Sequence, residues 1–111
     1  MDKRAYELQA ETIKALAHAT RIAILDRLHQ GEACVCELEP SLGLSQANIS
    51  QHLAILRACN LVTTRRDGAR VFYRVTDDRV FQLLTLLSTI THDQLNEARQ
   101  ALAPFRASRA Q

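Results

Sequence analysis

Residues 43–76 read GLSQANISQHLAILRACNLVTTRRDGARVFYRVT, and within that stretch the hydrophobic period changes once. Up to Cys59 the apolar side chains Ile49, Leu53 and Leu56 recur at three- and four-residue spacing, which predicts an amphipathic helix. Ser45 is placed to cap its first turn, and Asn60 tolerates the left-handed conformation in which helices end. Beyond Leu61 the period drops to two. VTTRR and ARVFYRVT flank Asp67-Gly68, a strong two-residue turn signal, so this half predicts a β-hairpin. Phe72 and Tyr73 alternate sides of their strand, which sends one of them to the core.

Toward the N-terminus, Gly43 makes a tight turn, and a short helix precedes it. Residues 31–40 read GEACVCELEP, with Val35, Leu38 and Leu42 sharing a face of the helix that CVC opens. Pro40 fits only in the first turn of that helix or as a kink, so the helix is short and easily perturbed. Earlier still, RIAILDRLHQ aligns Ile22, Leu25 and Leu28, with Thr20 as its cap and Gly31 past its end. Residues 6–18 repeat the helical period through Tyr6, Ala10, Ile13, Leu16 and Ala17. Helix, tight turn, helix and basic hairpin make a winged helix-turn-helix, a mainly α domain with a small β-hairpin. Toward the C-terminus, DDRVFQLLTLLSTI is apolar nearly all round through Val80, Phe81, Leu83, Leu84, Leu86, Leu87 and Ile90. On so small a domain such a helix needs covering by a second copy of the chain. Thr91 with Gln94 reads as a capping box opening a further helix to Pro104. A single domain results, with the helix-turn-helix at about 32–59, the wing at about 61–76, and dimerisation helices at about 5–18 and 78–103.

The second helix of a helix-turn-helix enters the major groove with its early residues facing bases. Here those are Ser45, Gln46, Asn48, Ser50, Gln51 and His52, all able to hydrogen-bond and none acidic. Gln and Asn suit adenine edges. Arg65, Arg66 and Arg70 flank the hairpin tip, where a wing reaches phosphates or the minor groove. The net charge of +2 hides a division: residues 44–79 hold six arginines against three aspartates, whereas residues 1–43 are net acidic. Double-stranded operator DNA is the partner this pattern fits.

No apolar run is long enough to cross a bilayer and MDKRAYELQAE is too polar for a signal peptide, so the expected compartment is the cytoplasm. Three cysteines there mean free thiols or metal ligands rather than a disulfide framework. Cys34 and Cys36 are the informative pair. In a helix, positions two apart point their sulfurs nearly opposite ways, while an extended chain puts them on one side. An ion needing both thiolates therefore favours an unwound form of this segment. Cys59 reads as a small core thiol, with a role as a third ligand as the alternative.

At this point the chain resembles the ArsR/SmtB family of metal- and metalloid-sensing repressors. The resemblance rests on IKALAHATRIAIL, CVCEL, LSQANISQHLAILRACNLV and RRDGARVFYRV, covering roughly residues 12–76. It implies a homodimer joined through the first and last helices that binds an imperfect palindrome and leaves it when an inducer binds. CVCEL resembles the arsenite-sensing branch, which implies As(III) or Sb(III) as inducer at Cys34 and Cys36, with no constitutive cofactor and no catalytic residue. Glu39 stands where that branch often has a third cysteine, leaving Cys59, a small thiol or water to complete the site. No cysteine precedes Cys34, as the cadmium/lead branch would need, and Asp77 and Asp78 lack the histidine of a zinc site two residues on. A redox enzyme or arsenate reductase would need a Cys-x-x-Cys pair or phosphate loop, and neither is present. A thiol-redox or persulfide-sensing repressor of the same fold is the main rival reading.

Overall fold

The computed structural model describes residues 2–110, the side chains of 103–110 excepted. The elements run α1 (Lys3–Leu16), α2 (Ala19–Leu28), β1 (Ala33–Cys34), α3 (Val35–Leu42), α4 (Gln46–Ala58), β2 (Val62–Asp67), β3 (Arg70–Val75) and α5 (Arg79–Ala110). Contacts divide the chain into two compact units, residues up to Phe81 and residues from Gln82.

The first unit is the winged helix-turn-helix. Ile24 and Leu25 of α2, Leu38 of α3, and Ile49, Leu53 and Leu56 of α4 are its largest fully buried side chains. Leu25, Leu38, Ile49, Leu53 and Leu56 are residues that the helical period selects. Ile24 is buried where the period had picked Ile22, which is half-buried, and burial of one stripe from each helix builds the core. Gly43, at φ 66°, ends α3 in the left-handed conformation and turns the chain into α4. Asn60 does the same for α4 at φ 59°, and the Leu61 amide donates back to the Leu56 carbonyl at 2.9 Å, a Schellman closure. The Thr76 hydroxyl donates to the Asn60 carbonyl at 2.7 Å, pinning the exit of the wing to that helix end.

Several local expectations change. The α2 cap is His18 rather than Thr20: its Nδ1 accepts from the Thr20 amide at 3.1 Å, which starts the helix two residues earlier, at Ala19. The hairpin turn sits one residue later than Asp67-Gly68. Asp67 pairs with Arg70, leaving Gly68 and Ala69 as the central residues, with Gly68 supplying the positive φ of 62°. The sheet has three strands in the order β1-β3-β2, because Ala33 and Cys34 pair antiparallel with Tyr73 and Phe72. Neither Phe72 nor Tyr73 is a core residue; both are half-buried. Pro40 lies inside α3, in its second turn.

In the second unit α5 continues unbroken through Thr91. The Thr91 hydroxyl donates to the carbonyls of Leu87 and Ser88 at 3.1 Å each, so it stays inside the helix and caps nothing. Leu83, Leu86, Leu87, Ile90, Leu95 and Leu102 are exposed along this helix.

Candidate DNA interface and thiol site

The two cysteines of CVC do not occupy equivalent positions. Cys34 is the N-cap of α3, extended at φ −85° and ψ 166°, and the helix proper begins at Val35. Its Cα lies 5.2 Å from that of Cys36 and the two sulfurs are joined as a disulfide. Convergence therefore requires no unwinding of α3, contrary to the expectation of opposed sulfurs, because only one of the pair is helical. Cys34 is 3% exposed, while Cys36 faces solvent. The Cys34 amide donates to Glu37 Oε1 at 3.3 Å, half of a capping box. Both sulfurs and a Glu37 carboxylate oxygen lie within 4.8 Å of one another. Two soft donors and one hard one can thus meet a single thiophilic ion. Cys59, half-buried at the C-cap of α4, is not brought into this cluster. Glu37, which the sequence did not single out, is.

On α4 the Ser45 hydroxyl accepts from the Asn48 amide at 3.2 Å, so it caps the helix. Gln46, Asn48, Ser50 and Gln51 are exposed, with their polar ends free to approach base edges. His52 stands apart from them. It is half-buried with its ring 4.4 Å from that of His18, and neither its Nδ1 nor Arg21 Nε has a partner among the described residues. Burial, seconded by the nearby His18 and Arg21, lowers the His52 pKa from its ordinary value. Between the folded and unfolded pKa values the unfolded chain binds more protons. Stability is therefore complete above about pH 6.5 and declines as pH falls through the folded pKa. Melting temperature should fall from about pH 7 to about pH 5 in the wild type, and His52→Gln should flatten that dependence. An equally steep profile in the variant would acquit His52.

The wing arginines also separate. Arg65 Nε donates to both Glu32 carboxylate oxygens at 3.0 and 2.9 Å, and its guanidinium carbon lies 4.7 Å from the Phe72 ring centre. The Arg65 hydrogen bond holds the Glu32 carboxyl below its ordinary pKa, so the pair stays charged. Arg65 is thus held to Glu32 partway along the wing, whereas sequence grouped it with Arg66 and Arg70 as a phosphate or minor-groove contact. Arg79 is likewise committed to Asp77, whose pKa it lowers to about 2. Arg66 and Arg70, near the hairpin tip, are exposed and form no ion pair among the described residues. Arg57 joins Ser50, Leu53, Ala54, Ala58 and Tyr73 around an open cleft of about 440 Å³ between α4 and β3.

A helix-turn-helix with an exposed polar recognition helix and a basic three-stranded wing defines a winged helix-turn-helix DNA-binding regulator. Comparison with known proteins narrows the class. The model of the bacterial regulatory protein arsR family matches residues 18–64. The biofilm growth-associated repressor of Xylella fastidiosa is 40% identical over 98 residues, covering 88% of this chain and 85% of that protein. The crystal structure of Rv0081 from Mycobacterium tuberculosis superposes with a TM-score of 0.77 at 34% identity, over 87% of this chain and 98% of that one. The homodimeric winged helix-turn-helix domain Mb0332 from Mycobacterium bovis gives 0.75 at 33% identity, over 86% and 90%. The chain belongs to the arsR family of bacterial transcriptional regulators. No helix among the described residues is long and apolar enough to cross a membrane.

Proposed function

We propose that the protein is a homodimeric repressor that holds operator DNA with α4 and the wing and leaves it when As(III) or Sb(III) binds Cys34 and Cys36. The carrying observation is the convergence of the two sulfurs at the start of α3, the helix that ends at Gly43 just before α4. A soft, low-coordinate ion suits two thiolates, and the Glu37 carboxylate stands close enough to complete three-coordination. Gel-shift titration of a reduced dimer with arsenite tests the reading. Retention of the complex at saturating arsenite would reject it.

The disulfide between Cys34 and Cys36 favours a second reading, in which oxidation supplies the signal. Two thiols would lose two electrons and two protons to a peroxide or polysulfide and form the S–S bond. Mass spectrometry of the released protein separates the readings, since arsenite adds arsenic and oxidation only removes two hydrogens.

Base and backbone contacts should separate by mutation. Gln46→Ala and Asn48→Ala are expected to erode discrimination between operator and non-operator DNA, by about 1–3 kcal/mol for each well-formed base contact. Arg66→Ala and Arg70→Ala should weaken all sequences alike and reduce the salt slope by about 1 each. Equal losses on operator and random DNA for Gln46→Ala would contradict this division.

A further inference from the structure

Glu32 ties the thiol site to the wing. Its carboxylate holds Arg65 in a two-point bond, and that guanidinium lies over Phe72. Phe72 is in turn the ladder partner of Arg65 on one side and of Cys34 on the other. Cys34 therefore belongs to the sheet that carries the wing tip, held by the ladder and, two residues upstream, by the Glu32–Arg65 bridge. We infer that Glu32 and Arg65 are positioning residues that pass the state of Cys34 to the wing, so that ion capture displaces Arg66 and Arg70 directly. This rests on the repressor reading above and names how its signal travels.

Three physical points support the route. Cys34 is 3% exposed and packed in the sheet, so an ion that spreads its sulfur from that of Cys36 presses on residues 33–34. β1 is two residues long and, among the described residues, pairs only with β3, so β3 takes up their shift. A planar guanidinium held at two points and stacked on a ring has one preferred geometry, which transmits movement of Glu32 where a single flexible ammonium would absorb it. The Arg65 and Glu32 side chains are 50% and 34% exposed. Such a pair adds little to stability, so its removal leaves a folded protein in which the route can be tested.

The experiment compares wild-type dimer with Glu32→Gln, using sodium arsenite as the probe and a fluorescent operator duplex. Arsenite should weaken wild-type operator binding by roughly 5- to 150-fold. Glu32→Gln should match the wild type without arsenite to within about twofold and bind arsenite equally, yet be released by less than about threefold. Arg65→Lys, which keeps the charge and loses the fork, should lose the same part of the response. Hydrogen exchange supplies a readout that a merely structural role would not move: arsenite should accelerate amides of residues 63–75 in the wild type and not in Glu32→Gln. Full release of Glu32→Gln, or unchanged wing exchange in a released wild type, overturns the inference while leaving the repressor reading intact. A wild type that arsenite never releases overturns both.

Discussion

Cys36→Ser is expected to bind operator DNA as the wild type does and to stay bound at arsenite concentrations that release the wild type. Cys36 is exposed, so the serine hydroxyl remains hydrated and the fold bears no cost. Losing one of two thiolates removes the differential affinity that drives release, and a ligand without preference between two states shifts neither. A coupling of about 1–3 kcal/mol should therefore collapse to zero. Cys34→Ser should lose release as well, but there a hydroxyl replaces a buried thiol, at a stability cost of about 1–3 kcal/mol unless it finds a partner. Cys59→Ala should retain the full response, because Cys59 lies outside the cluster of Cys34, Cys36 and Glu37. Fluorescence anisotropy of operator with each reduced variant reads all three. Wild-type release of Cys36→Ser would end the two-thiolate account, and loss of response in well-folded Cys59→Ala would make Cys59 the third ligand.

The parts of this fold that sequence made legible are those with a period long enough to count. Ile49, Leu53 and Leu56 announce α4, which stands where expected, and the alternation around Asp67-Gly68 announces the hairpin, whose turn falls one residue later. β1 was illegible because two residues carry no period, and its existence depends on the place of β3. That one strand changed the reading of CVC, since a helical pair would oppose its sulfurs whereas an N-cap and a helical residue need not. The Glu32 partner of Arg65 was illegible because it lies 33 residues earlier in the chain. His52 was recoverable: it follows Ile49 by three and precedes Leu56 by four, which puts it at the edge of the buried stripe. Its neighbour His18, on another helix, was not.

Leu86→Glu combined with Ile90→Glu should convert the protein to a monomer that holds operator DNA at least about 100-fold more weakly. Leu86 is 64% exposed and Ile90 56% exposed, so the substitutions cost the isolated chain little. In the proposed dimer joined through α5 each would be buried once per copy, and burying four such side chains would contribute roughly 6–12 kcal/mol before the entropy of association. A micromolar dimer is held by only about 8 kcal/mol, so loss of that burial, with four carboxylates set in the same patch, leaves nothing to hold it. A monomer covers one half-site and forfeits the effective concentration that tethers the second recognition helix. Sedimentation equilibrium at micromolar protein gives the mass, and anisotropy with full and half operators gives the affinities. Half-operator binding should survive in the variant, because α4 and the wing belong to the other compact unit. A variant that remains dimeric would mean that α5 is not what joins the copies.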